Sequence, residues 1–309
     1  MSISQIKYAI GLSILAICNL VQAMLPELGD EDCGSLILIS NWKSNNVKIY
    51  DGCSGLFVRD LDSQSLIDGP LGILQTPDGD LLVVSENNNR LIKWDFLTLS
   101  NGSEIMGSNP NTSAFIDGPS GAIIGKEGFM YAASFTQNLV VKIDTRNWQI
   151  IDELLSSSNT LISGIDAGLA LRNGHLYLPG FKSDNIIKIN LSSKQASEIV
   201  SQNSGELNAP RSIIVYPNRL TVAAEKSNVV SSFDLSNGNF IHRLVQVASP
   251  TSIQRDNESH FLISTQNSVY RVTNDGKSFE KIIKKGAGGL NSATFVYRLY
   301  KKVFDTDQK

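Results

Sequence analysis

The chain has 309 residues, 41% of them hydrophobic and 18% charged, with a formal net charge of −3. That composition excludes a disordered chain. With no basic block anywhere, it also argues against a nucleic-acid surface built on a basic stripe. Length alone allows two domains, so the organisation has to be read from the pattern along the chain.

Residues 1–23 read as a secretory signal peptide. Lys7 is the only charge, an apolar run covers 8–21, and Val21-Gln22-Ala23 is a small-residue cleavage site. The apolar run, at about 14 residues, is short of the ~20 needed to span a bilayer. The expectation is therefore export to the periplasm or the exterior, with membrane contact only through an uncleaved signal. A lipoprotein cleavage at Cys18 is disfavoured by the bulk of Ile17 before it. Removing the signal leaves a lead of 24–34 and two cysteines, Cys33 and Cys53, equidistant from Lys43 in the first hairpin turn. An antiparallel pairing would set them opposite each other. An even count in an exported chain then favours a disulfide; two buried thiols are the alternative.

From residue 35 onward one phrase recurs: an apolar strand, a polar turn and a second strand ending in Asp or Asn. It occupies 40–51, 85–95, 134–144, 179–190, 224–234 and 264–274. An Asn sits in or just after each turn, at Asn46, Asn89, Asn138, Asn185, Asn228 and Asn267. Asn tolerates left-handed backbone and bonds its own main chain, which suits a hairpin. A short apolar run precedes each of the last five phrases, anchored at Gly72, Gly121, Gly168, Ser212 and Ser252, which are 49, 47, 44 and 40 residues apart. Turns such as Pro77-Asp78-Gly79 and Arg172-Asn173-Gly174 follow these runs. A fourth, more polar strand follows each phrase, as in 149–154.

Four strands at this period predict an all-β chain folded as a β-propeller of four-stranded antiparallel blades. The first phrase lacks its innermost strand. The stretch 288–296 has no phrase after it and supplies that strand, closing a six-bladed ring without an open edge; seven blades is the alternative. The propeller is predicted to cover 35–297, with 96–114 a long loop between blades and 298–309 a polar tail. Asn101, Asn111, Asn190 and Asn257 open Asn-x-Ser/Thr triplets, which matter only in a host that glycosylates exported proteins.

The unit Asp-Gly-Pro-x-Gly-Ile, Asp-Gly-x-Leu-x-Val, Asn-x-x-Ile-x-Lys-x-Asp resembles the NHL-type repeat. It is more loosely similar to the YVTN-type, TolB-like and SMP-30/streptogramin-lyase-like propellers. Residues 68–73 and 117–122 carry the likeness best. It implies the fold and says little about function.

No His-Glu-x-x-His, Gly-x-Ser-x-Gly, Walker A, dinucleotide-binding or EF-hand motif is present. His175 and His260 take equivalent places before second strands, so a structural role is expected for them. The zinc site of the amidating-lyase propellers related to the NHL repeat is thus not supported, and the lack of His on the innermost strands argues against a streptogramin-type lyase. Propellers bind at the mouth of the channel. Asp68, Asp117, Asp166, Asn208, Arg211, Thr251 and Asn291 are expected near it, with Trp42, Lys43, Glu86, Phe135, Phe181, Lys182, Glu225 and Lys226 further out. The leading expectation is a monomeric binding module for a small molecule, glycan or protein. The alternative is a lactonase or esterase of SMP-30 type. Resemblance to that family suggests a divalent cation (Ca, Zn or Mg) on an acidic residue before Gly-Pro, with Asp68, Asp117 and Asp166 as candidate ligands.

Overall fold

The computed structural model describes residues 34–61, 65–95, 98–107 and 115–300. Within them lie six four-stranded antiparallel sheets arranged as the blades of a ring. The only helical pieces among the described residues are two single 3-10 turns, Trp42–Ser44 and Ala287–Gly289. Blades 2 to 6 are simple meanders, beginning with the innermost strands Pro70–Gln75, Pro119–Ile124, Ala170–Arg172, Pro210–Val215 and Pro250–Arg255. Blade 1 is split. Its innermost strand is the last of the chain, Ala293–Tyr300, paired with the first, Ser35–Asn41.

The second strands, such as Leu81–Ser85 and Leu220 with its neighbours in Arg219–Ala224, are almost wholly buried because a sheet packs on each of their faces. The fourth strands carry the exposed rim, as in Phe240–Gln246 and Phe279–Ile283. The apolar core lies between blades, each cluster drawing side chains from neighbouring sheets. Near the axis the innermost strands pinch together, so the repeat anchors are small. A Cβ on Gly121 would fall 2.3 Å from the Ala167 carbonyl oxygen, and one on Gly168 would fall 2.2 Å from the Ser212 Cα. Hydroxyls stitch the same region across blades: Ser40 donates to the Leu71 carbonyl at 2.6 Å and Ser212 to the Ile253 carbonyl at 2.9 Å.

Two sequence expectations need correction. The closing strand starts at Ala293, later than predicted, because Gly288 and Gly289 both take left-handed backbone in the turn before it. It also runs to Tyr300, beyond the expected boundary at 297. Arg298 is held there: its guanidinium meets the 1%-exposed side chain of Asp256 at 2.6 Å and also donates to Ser35 Oγ and the Gly52 carbonyl. Arg271 reaches the other carboxylate oxygen of Asp256 at 2.6 Å. The second correction concerns the turns. Left-handed backbone falls on Asn45 and Asp184, one residue before the expected Asn46 and Asn185, while Asn89 and Asn138 and Asn228 are left-handed as read.

These five residues do more than turn their own hairpin. Each side-chain Oδ1 accepts the backbone N–H of a residue in the loop opening the next blade. Asn45 takes Gly69 at 2.9 Å, Asn89 takes Gly118 at 2.7 Å and Asn138 takes Gly164 at 2.6 Å. Asp184 takes Ala209 at 2.7 Å and Asn228 takes Ser249 at 2.8 Å. All five donors are themselves left-handed. At the sixth boundary the turn is shorter, and the Gln266 carbonyl receives the Ala293 N–H instead.

Asn138→Ala removes one such acceptor and places a poor left-handed residue at the turn. The expected loss is about 1–3 kcal/mol, read as a lower urea midpoint at unchanged slope. Asn138→Gly, which keeps the backbone freedom and loses only the bond, should fall between the two. Asp256→Asn strips the countercharge from two arginines at the ring closure, and a loss of roughly 3–5 kcal/mol is expected from the same measurement.

Candidate functional site

Two sets of equivalent positions build the mouth of the channel. The first residue past each second strand forms one ring: Trp42, Glu86, Phe135, Phe181, Glu225 and Gln266. Five of them are fixed by a backbone bond from their N–H to the carbonyl of the residue just before an innermost-strand segment. These carbonyls belong to Ser292, Gly69, Gly118, Gly164 and Ala209, at 2.9–3.0 Å. The left-handed residue that the neighbouring blade clasps is therefore the one that positions this ring in blades 2 to 5.

The second ring comes from a bulge. In five innermost strands one extra residue interrupts the register at the same place, at Leu71, Ser120, Arg211, Thr251 and Thr294. In blade 4 the interruption is longer, running from the Ile165 bridge with Gly180 to the Ala170 pair with Tyr177, and Asp166 lies at its start. A bulge bends the strand and re-aims a side chain. Here it delivers the ring toward the axis.

Together the rings line a cavity of about 320 Å³, joined by Lys43, Asn291, Ser292 and Ala293. Every member of the first ring and all of the second except Ser120 line it. The Ser120 hydroxyl is buried and donates to the Ile165 carbonyl at 2.7 Å.

The charged centre is Arg211. Its Nη1 donates to Glu225 Oε2 at 2.8 Å, and its Nε lies 3.0 Å from Asp166 Oδ2, close but poorly aligned for a hydrogen bond. Burial works against the guanidinium charge, yet the two carboxylates outweigh it and hold Arg211 above its ordinary range. The Asp166 side chain is only 4% exposed, and Oδ1 accepts the Ala167 N–H at 2.6 Å. Burial pushes its carboxyl up, against the pull of Arg211 and that N–H. Across the mouth, Trp42 Nε1 donates to Glu86 Oε2 at 2.9 Å. Glu86 is also raised, first by burial, with the Trp42 bond opposing and the nearby Asp166 charge adding.

The aromatic wall is occupied by cations. Phe135 and Phe181 lie 6.0 Å apart at a 51° tilt. Lys182 Nζ sits 4.4 Å from the Phe135 centroid, while Lys226 Nζ and the Arg211 guanidinium lie 5.3 and 5.4 Å from that of Phe181. Such contacts contribute about 0.5–1 kcal/mol at exposed sites and hold the lysines at the rim.

Of the residues expected at the mouth, Asp166, Arg211, Glu86, Glu225, Trp42, Phe135, Phe181, Lys43, Thr251 and Asn291 come together in this cavity. Asp68 and Asp117 do not line it. They sit in the loops leading to the innermost strands, where Asp68 Oδ1 accepts the Asn87 amide at 3.0 Å and the Asp117 carbonyl accepts the Thr136 hydroxyl at 2.8 Å. Their Asp-Gly-Pro motif serves the left-handed glycines Gly69 and Gly118. The candidate set Asp68, Asp117 and Asp166 is therefore not convergent. The gap between Asp166 and Glu225 is filled by Arg211. Among the described residues no three His, Cys, Asp or Glu side chains are grouped so as to hold a metal ion. His175 and His260 bond within turns at the other end of the second strands. Gln266, Leu71 and Thr294 were missed. Gln266 follows Thr265 as Glu86 follows Ser85, but the shorter turn of blade 6 hides the equivalence.

Glu86 titrates above the usual carboxylate range, so it gives a pH-dependent readout. Trp42 fluorescence should change with a midpoint above 4.5, the ordinary value for Glu, and Glu86→Gln should abolish that step. Because the folded value is raised, the associated stability is present at low pH and declines as pH rises through the folded value. Melting curves of Glu86→Gln should lack that decline.

No protein-family model matches the chain, and no curated protein matches it. Solved structures do. A structure described as the nidogen/laminin complex is similar at a TM-score of 0.70 and 10% identity, over 87% of this chain and 99% of that one. A streptogramin B lyase structure is similar at a TM-score of 0.59 and 16% identity, over 83% of this chain and 85% of that one. A protein of unknown function from Bacteroides caccae gives 0.63 and 12%, over 86% and 99%. At these identities the likeness establishes the six-bladed β-propeller fold.

Proposed function

We propose that the protein is an exported binding module that takes a small polar ligand at the mouth of its channel. One observation carries the reading: Arg211, on the bulge of blade 5, is held between Asp166 of blade 4 and Glu225 inside the cavity. A charge cluster alone does not mark a ligand site, since a similar one at Asp256 closes the ring; this one differs in lining a cavity. A cavity that presents convergent polar groups beside aromatic side chains matches the general make-up of ligand sites.

Kinship with NHL-type propellers, a monomeric state and a Cys33–Cys53 bridge belong to the same proposal. Cys33 lies outside the described residues, as do the signal peptide, most of the lead and the end of the tail. Cys53 lies exposed in the turn after Asp51, where its N–H donates to Asp51 Oδ1 at 3.2 Å. The hydrolase reading is less well supported, since Asp68 and Asp117 stand apart from Asp166. The likeness to a streptogramin B lyase carries the fold and no catalytic residue.

Ligand-observed NMR with a general fragment library tests the reading on the chain after signal removal. Hits should compete for one site and bind about tenfold more weakly, a loss of ~1.4 kcal/mol, in Phe181→Ala and Arg211→Met. They should be unchanged in Lys194→Ala on an outer strand connection. Hits indifferent to both cavity variants, or a library without hits, would overturn the proposal. A melting curve on each variant separates lost binding from lost folding.

A further inference from the structure

We infer that the ligand class is a short saccharide; this rests on the binding reading above. Arg211 is paired with Asp166 and Glu225, while Glu86 accepts from a neutral donor, the Trp42 N–H, and Lys43 stands exposed at the edge of the cavity. An anionic ligand would therefore have to displace those carboxylates from Arg211. The groups still keep hydrogen-bonding capacity. A guanidinium has five N–H donors, and each carboxylate oxygen accepts more than one bond. A neutral wall offers the amides of Gln266 and Asn291, able to donate and accept, while the Thr251 and Thr294 hydroxyls already donate within the protein and keep acceptor capacity. A hydroxyl group also does both, so vicinal hydroxyls can use the charged wall and the neutral wall together. A cation or an anion can use only one kind of partner.

The aromatic contacts point the same way. Phe135 and Phe181 already hold Lys182, Lys226 and Arg211 against their rings, so a cationic ligand would have to displace the protein's own cations. Trp42 and Leu71 add apolar surface for the C–H face of a sugar ring. The volume, about 320 Å³, lies at the small end of the ~300–1,000 Å³ usual for ligand sites. That suits one or two sugar rings.

The test is isothermal titration of the chain after signal removal with two probe sets. One set is glucose, galactose, mannose, N-acetylglucosamine and their β-linked disaccharides. The other is benzamidine, choline, benzoate and citrate. At least one saccharide should bind saturably and lose about tenfold in affinity in Glu225→Gln and in Gln266→Ala. Glu225→Gln keeps the shape of the site if Arg211→Met fails to fold. Saccharide binding that neither variant weakens would overturn the assignment. Binding of the charged probes alone at this cavity would overturn the saccharide class and leave the binding reading standing. Failure of both sets, together with a fragment library without hits, would remove both.

Discussion

Five side-chain oxygens reaching from one blade to the next set the geometry of the channel mouth. An isolated four-stranded blade has two apolar faces and no fixed relation to its neighbour. Interblade packing supplies the attraction but tolerates sliding. The bonds from Asn45, Asn89, Asn138, Asp184 and Asn228 to the following blade are directional and short. Both ends of each bond need left-handed backbone, so donor and acceptor are specified together. Glycine meets that need at Gly69, Gly118 and Gly164; Ala209 and Ser249 adopt it at φ 53° and 46°. A left-handed L-residue costs about 1–2 kcal/mol, which the surrounding contacts must offset. Four of the residues held this way stand one position from a strand start, Gly164 stands one position from the Ile165 bridge, and all five stand two from the re-aimed residue. They therefore aim Leu71, Ser120, Asp166, Arg211 and Thr251.

That arrangement separates what the repeat keeps from what it varies. Strand interiors hold Leu, Ile and Val with small residues at the axis, because two packed faces leave no alternative. The two rings carry no such load. They hold tryptophan, phenylalanine, glutamate, glutamine, aspartate, arginine and threonine at positions that are geometrically equivalent. Side chains of different chemistry are thus presented at one radius by one backbone device. Blade 4 departs further: its longer interruption lets Asp166 cap the next N–H while facing Arg211. That double engagement gives one oxygen of a buried carboxylate a hydrogen bond and the other a counter-charge.

Much of this was legible in the sequence and part was not, for physical reasons. The six phrases and the missing first strand revealed the blade count, because strand periodicity and closure are local and repetitive. Ten of the fifteen residues expected at the mouth meet in one cavity, since they occupy turn positions that any propeller turns toward one end. Asp68 and Asp117 were misjudged because Asp-Gly-Pro reads alike whether its carboxylate faces the axis or a neighbouring amide; the Asn87 contact decides it for Asp68. The turn asparagines were recognised, but as bonding their own main chain. Nothing in a single sequence says that an amide oxygen will instead cross to a loop 24 or 26 residues later. Gln266 was lost through a two-residue turn that shifts the alignment.

The ring closure shows why the mouth is free to vary. Closing a propeller with the last strand leaves one blade whose innermost strand is joined to the others only by hydrogen bonds, and the first and last strands must not peel apart. Buried Asp256, held between buried Arg298 and partly exposed Arg271, answers this at the end opposite the cavity, tying the closing strand to blade 6. Arg298 also reaches Ser35 and the turn after Asp51, so the same guanidinium spans both halves of the split blade. At the mouth end, Asn41 Oδ1 receives the N–H groups of Asn291 and Ser292. Charge burial at the far end is thus spent on closure, where each partner is satisfied by a named neighbour. At the mouth, Arg211 is held by Asp166 and Glu225 instead. There the guanidinium lies between two blades and lines the cavity, so its partners can vary without opening the ring.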